Sequence, residues 1–499
     1  MNIAHRFTLI IEPLVDTSND IKTIPSILQV IDCSGSAPCF QLLREWLRKC
    51  DQDHRECSRR KRYWPTRVIL VGGSDPNKLK LQERANEKEL EDYIVLSHCW
   101  GTPTDEEKER FCTTSKNYDD RVNEGFSYDD LPKTFQDAVR VTQELKKEYL
   151  WIDSLCIIQG DENDWENEAG LMEKVFASAY CTIAASSAPN WGVGFLKQNQ
   201  SSQYIQIQDI SGKQVNVCDF NKDVDEGPLN KRAWVLQERV LSCRTIHFSA
   251  EQTYWECGEG VRCENLTRLK CPTGRQYFVL DPNFPKRLTE SGYDRTVDFV
   301  QYLFEKYSRC GLTNKSDRDT AISGLVKRIE SALDTKGGYG VFRCFFSRLL
   351  LWKQSDEEKA ALIDYKGRKV PSWSWMAYNG GIDFMSNSRL MAPNSEELQF
   401  DREALTVKVR QFKNCRPERY GILADSGRVG SVWFDTRANN RFKHCVVVGM
   451  RQDEKKDSQK TYYILIVKKK LQGEGYERLG VGEIEARYVS KEGNPGKLV

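Results

Sequence analysis

Between residues 93 and 250 the chain switches between short apolar runs and longer segments whose apolar residues recur every three or four positions. No other feature of its 499 residues restricts the fold as much. "YIVLS" (93–97), "YLWIDSLCII" (149–158) and "CTIAASS" (181–187) are apolar enough to be strands covered on both faces. Between the first two lies "LPKTFQDAVRVTQELKKE", with Leu131, Phe135, Ala138, Val139 and Leu145 on one helical face and Pro132 suited to its first turn. A second helix begins at "DENDW" and carries Leu171, Met172, Val175, Phe176 and Ala179. "NKRAWVLQERVLS" is helical again, and "CRTIHFS" returns as a strand. The spacing predicts strands over 93–97, 150–157 and 181–186, and helices over 131–147 and 165–180. Strands alternating with helices imply an α/β fold, a mostly parallel sheet with helices on both faces.

Outside this stretch the texture differs. "QYIQIQDISGKQVNVCDF" reads as a hairpin turning at Ser211 and Gly212. Further on, "LTNKSDRDTAISGLVKRIESAL" reads as a helix with Ser316 as N-cap, and "VPSWSWMAYNGG" places Trp373 and Trp375 on one strand face. From residue 400 onward, alternating strands without an acid, thiol or glycine constellation suggest an accessory β-rich module, with a linker near 381–399. The expected organisation is an N-terminal extension (1–90), an α/β domain (91–260), a mixed extension (261–385) and a β-rich C-terminal module (386–499).

A formal charge of +2 gives no global field to draw nucleic acid or an anionic membrane, and no 18-residue apolar stretch occurs. The N-terminus is broken by Glu12 and Pro13 and does not read as a signal peptide. Seventeen cysteines without a short disulfide framework suit a cytoplasmic protein with reduced thiols.

Several stretches carry chemistry. No phosphate-cradling G-x-x-x-x-G-K, no H-E-x-x-H and no G-x-S-x-G is present. His98 and Cys99 are neighbours on an extended segment, so their side chains point to opposite faces and do not form a nucleophile–base pair. Asp153 interrupts an apolar strand, which is costly unless it is paired or functional. "DENDWENE" fits no calcium loop and reads as the solvated start of a helix. Cys50, His54 and Cys57 form C-x3-H-x2-C, with Cys33 and Cys39 upstream. A helix would put the three on one face, as zinc ligation needs, but a second ligand pair at standard spacing is missing. The expectation is therefore a structural cluster of buried thiols, its metal content open. Trp234 and Glu238 lie one helical turn apart, where an indole could stack on a ligand ring while the acid meets its sugar. The alternative is a core indole and an acid paired to a surface arginine.

Taken together, "YIVLSHCWG", the run from "LPKTFQ" to "TIAASS" and "NKRAWVLQERVLSCRTIHFS" resemble the three blocks of the fungal heterokaryon-incompatibility (HET) domain, in order and spacing. "WLRKCDQDHREC" upstream, and "LTNKSDRDTAISGL", "VPSWSWMAYNGG" and "YERLGVG" downstream, look like flanks of full-length members. His98 stands where a Tyr is more usual. The resemblance implies a cytosolic effector of non-self recognition that triggers cell death. The family is in turn remotely similar to TIR domains, whose flavodoxin-like parallel sheet is the one the alternation implies. Catalytic TIR domains use the glutamate of W-x-x-x-E to cleave NAD, and "WVLQE" matches that pattern from Trp234 to Glu238. The resemblance thus implies Glu238 as the catalytic residue, holding the ribose hydroxyls and stabilising developing positive charge. Ser97, Trp100, Gly101, Asp153, Trp234 and Gln237 would line the ligand site, with NAD as substrate and no further cofactor. Trp100 reads equally as a core plug. The competing expectation is a non-enzymatic signalling module acting by self-association or through a partner protein.

Overall fold

A computed structural model describes residues 35–58, 63–84, 91–196, 206–208, 214–216, 219–265, 268–269, 284–356, 361–385, 390–391, 398–400, 404–418, 420–436, 442–451, 460–470 and 474–499. The chain divides into two units, Met1–Arg287 and Leu288–Val499. Cys33 and the hairpin turn at Ser211 and Gly212 lie outside the described residues, although the hairpin's arms, Gln206–Gln208 and Gln214–Asn216, do pair antiparallel.

The first unit is built on a ten-stranded sheet. Its strands, in chain order, are β1 (Arg67–Leu70), β2 (Lys78–Glu83), β3 (Tyr93–Ser97), β4 (Phe126–Ser127), β5 (Tyr149–Trp151) and β6 (Cys181–Ala184). They continue as β7 (Arg244–Phe248), β8 (Thr253–Cys257), β9 (Gly260–Cys263) and β10 (Arg268–Leu269). The spatial order is β10-β9-β8-β7-β6-β3-β5-β1-β2-β4. Only the middle four, β7-β6-β3-β5, run parallel. The flanks are antiparallel, so the sheet is mixed rather than mostly parallel. The reason is local: β7 and β8 are joined by a loop too short for a crossover, and only an antiparallel hairpin fits.

Four helices matter for the site: α1 (Ala37–Asp53), α2 (Lys133–Glu144), α3 (Glu162–Ser178) and α4 (Ala233–Leu241). α2 buries Phe135, Ala138 and Val139 completely, as the periodicity predicts, and each large apolar residue so buried contributes about 1.5–3 kcal/mol. α3 starts at Asp161, whose carboxylate accepts from the amides of Asn163 and Asp164 at 3.0 and 3.1 Å. Its first turns are not simply solvated. Asp164 takes the Arg67 guanidinium at 2.6 Å, and Glu168 is buried nearby, 3.7 Å from the same group.

From β3 the chain crosses through α2 to β5 on one side; from β5 it returns through α3 to β6, and then through α4 to β7, moving the opposite way. With right-handed crossovers, α2 lies on one face and α3 and α4 on the other. The carboxyl ends of β3 and β6 flank the point where the direction reverses, the place where open α/β sheets form a crevice.

Several boundaries differ from the spacing. The 150–157 strand stops at Trp151, and Asp153–Cys156 is a single helical turn. A short apolar run does not distinguish a buried strand from a buried turn, and the Asp153 side chain turns the chain by accepting from the Ser154 amide at 2.7 Å. The 181–186 strand ends at Ala184.

The second unit has its own core. Strands Leu405–Gln411, Asn494–Leu498, Tyr476–Glu485, Thr461–Lys469 and His444–Arg451 pair in a ring that closes on itself as a barrel. Its C-terminal part is β-rich, as expected. Ser316 caps no long helix: it sits in a 3-10 turn, Lys315–Arg318, and the α-helix begins only at Ser323. Trp373 and Trp375 are fully buried, but Trp375 belongs to a 3-10 turn rather than a strand. Part of the supposed linker is strand, since Ile382–Phe384 pairs with Trp352–Gln354 and Leu390–Met391 with His444–Arg451.

Candidate functional site

From Ser97 to Trp100 the contacts of successive side chains alternate between two sides. Ser97 and Cys99 turn toward α4. The Ser97 hydroxyl donates to the Glu238 carboxylate at 2.5 Å, and Cys99 packs with Ala184, Leu229 and Val235. His98 and Trp100 turn the other way. The His98 ring lies edge-on to Phe135 of α2, centroids 5.0 Å apart, with Nδ1 3.9 Å from the Asp153 carboxylate. The Trp100 indole N–H donates to that same carboxylate at 2.9 Å. Residues 97–100 therefore thread between two acids, Glu238 from α4 and Asp153 from the turn after β5. His98 and Cys99 point apart, as their adjacency requires.

Glu238 is 7% exposed, and burial pushes its carboxyl up to about 7. The Ser97 hydrogen bond and the Arg232 charge oppose that rise, while the Asp153 charge adds to it. Arg232, at the start of α4, donates to the His98 carbonyl. Burial drives the His98 imidazole down to about 4, against the Asp153 charge, so it is neutral; its Nε2 is buried with no hydrogen-bond partner among the described residues. Burial raises the Cys99 thiol, which stays protonated and is a poor nucleophile. The site thus offers no thiolate–imidazole couple. It offers a carboxylate poised near neutrality in a poorly solvated setting, where fixed charges act most strongly.

Trp100 is half-buried and stacks on Trp191, centroids 5.7 Å apart and planes 28° apart. It is neither a free ligand platform nor a full core plug. The Trp191 loop is pinned to α2: the Thr134 amide donates to the Trp191 carbonyl at 2.8 Å, and buried Asp137 accepts from the amides of Phe195 and Leu196 at 2.8 and 2.9 Å. Gly101 adopts φ +75°, and a Cβ there would sit 2.5 Å from the Asn190 Cβ. Only glycine fits both demands.

Trp234 is half-buried and meets Trp165 of α3 edge-on at 6.4 Å; Gln237 is buried on α4. The residues that spacing missed are Arg232, Trp165, Trp191 and a buried network directly after Glu238. There Arg239 pairs with Glu256 at 3.1 Å and with Asp225, and Glu256 meets His247 Nε2 at 2.8 Å. Arg239 follows Glu238 by about 100° around the helix, which points it away from Ser97. Nothing in "LQER" distinguishes the two roles.

Among the described residues no helix is long and apolar enough to cross a membrane. Residues 93–238 match a family model described as "Heterokaryon incompatibility protein (HET)". No curated protein and no solved structure matches the chain.

Proposed function

Because the chain is a heterokaryon-incompatibility domain protein over residues 93–238, we propose that it is a cell-death effector of heterokaryon incompatibility whose Glu238 site cleaves NAD. The observation that carries this reading is the Glu238–Ser97 pair, which stands at the carboxyl end of β3, where the strand order reverses direction. The bond broken is that between ribose C1′ and the nicotinamide nitrogen. Its electron pair leaves with nicotinamide, which departs neutral, and the ribose passes through an oxocarbenium-like cation. Water then adds at C1′ and loses a proton, giving ADP-ribose. Ionised Glu238 faces the ribose and stabilises the developing positive charge; the Ser97 hydroxyl and the Arg232 charge favour the ionised form. The likeness of "WVLQE" to the W-x-x-x-E of catalytic TIR domains supports the same assignment.

The test is nicotinamide release from NAD by the purified full chain and by Glu238→Gln, which keeps shape but loses charge. Loss of about two to three orders of magnitude in a folded variant, the size typical of one preorganised electrostatic group, supports the reading. Turnover by the parent should rise through about pH 7 as Glu238 ionises. A second reading is favoured by one observation. Glu238 is nearly covered, and Asp153 is already engaged by Trp100 and Ser154, contacts that also suit a structural lock in a non-enzymatic module. A toxic parent that leaves NAD untouched, alone or assembled, would select that module.

A further inference from the structure

At the far end of α1, away from Glu238, four side chains converge that spacing alone did not assemble. Cys50 lies in the last turn of α1, His54 caps it, and Cys57 sits in the short turn Arg55–Ser58. The fourth is Cys257, the last residue of β8, two hundred residues further along the chain. The three sulfurs and one imidazole nitrogen all lie within 4.8 Å of one another, with Cys257 Sγ 3.5 Å from His54 Nδ1. A zinc tetrahedron with Zn–S bonds of about 2.3 Å has edges of about 3.8 Å, so the four donors already stand within about 1 Å of a ligand shell. Cys39 is buried further back on α1 and is not in the group.

We propose that Cys50, His54, Cys57 and Cys257 form a structural zinc site that fastens the end of α1 to the β8–β9 hairpin. Three observations beyond the cluster support it. The hairpin turn brings polar groups to the sulfurs: backbone amides at Gly258 and Glu259 lie against Cys57 and Cys257. Arg244 is fully buried beside Cys50, and its Nε and Nη1 have no hydrogen-bond partner among the described residues, while Nη2 reaches Asp51 at 2.5 Å. Zinc with three thiolates and a neutral imidazole carries one net negative charge, which a buried guanidinium with two otherwise unpartnered nitrogens complements. Finally, the donor set is closed. Four protein ligands leave no open position, so the metal would hold structure rather than catalyse, and soft sulfur-rich tetrahedral donors select zinc over harder ions.

The alternative occupants of this geometry are free thiols or a disulfide, and one set of measurements separates all three. Purified full chain should carry one zinc, displaceable by cobalt with the d–d and sulfur-to-cobalt bands of a tetrahedral thiolate site. Cys257→Ser should lower metal affinity at least tenfold. His54→Cys, which replaces one good ligand by another, should keep the metal with a red-shifted cobalt band, and exposed Cys344→Ser should change nothing. Should Cys257→Ser fail to fold, mercurial titration of the parent reads the same property, since zinc must be released as the cluster thiols react. Folded parent with no zinc, no cobalt bands and all 17 cysteines titrating as thiols overturns the proposal, and so does a count two thiols short. None of these readouts depends on NAD turnover.

Discussion

Glu238 shows how one side chain is set by its neighbours. Left in water it would be ionised at any physiological pH; buried in α4 it stands near half-protonation, kept even that acidic by Ser97. A carboxyl whose folded pKa lies above its unfolded value destabilises the native state once pH exceeds the unfolded value. In the parent, stability should therefore fall as pH rises from about 4.5 to about 7, by an amount on the order of 3 kcal/mol, and level off above that. Glu238→Gln lacks this titration, so denaturant midpoints of parent and variant should diverge across that window, the variant being favoured at the upper end. Parallel curves would mean the carboxyl is better solvated than its 7% exposure implies. Ser97→Ala removes the donor and leaves an unsatisfied buried acid; a loss of about 1–3 kcal/mol above pH 7 is expected, shrinking in acid as Glu238 protonates.

At the scale of elements, what was legible followed from period and what was not followed from distance along the chain. Phe135, Ala138 and Val139 announced the helix they form, and β3 runs over the residues its apolar run spans. The Asp153 turn was hidden because "WIDSLCII" satisfies burial equally well as strand or turn. The antiparallel flank of β1 and β2 was hidden because these strands precede the alternating stretch and join it through pairing with β5 and β4. The candidate site was half legible: "WVLQE" singles out Glu238, but the contacts of Arg232 with the His98 carbonyl and of Trp191 with Trp100 arise through the fold alone. Gly101 is the junction where sequence and fold meet, its φ of +75° letting the chain turn under Asn190 and set Trp191 against Trp100. Gly101→Ala should cost about 1–3 kcal/mol from strain and clash together, and should change tryptophan fluorescence as the 28° stack is disturbed. An unaltered emission spectrum with unaltered stability would show that the Asn190 loop moves aside freely.

Over the whole chain, two cores fold on different devices. The unit Met1–Arg287 joins a mixed sheet to α1, where the Cys257 cluster sits; the unit Leu288–Val499 closes a barrel by inserting its last strand, Asn494–Leu498, between Leu405–Gln411 and Tyr476–Glu485. Two separate cores predict two unfolding transitions, and each should answer to its own perturbation. Zinc lost from the native state removes binding free energy that only the first unit gains, so a strong chelator should lower one transition and leave the other in place. Ile464 is fully buried in the barrel wall, and Ile464→Ala should cost about 2–5 kcal/mol there while sparing the chelator-sensitive transition. Calorimetry of the parent, the chelated parent and the variant decides it. A single transition shifted equally by chelator and by Ile464→Ala would mean that the two cores unfold as one cooperative body, and a barrel mutation would then weaken the Glu238 site as well.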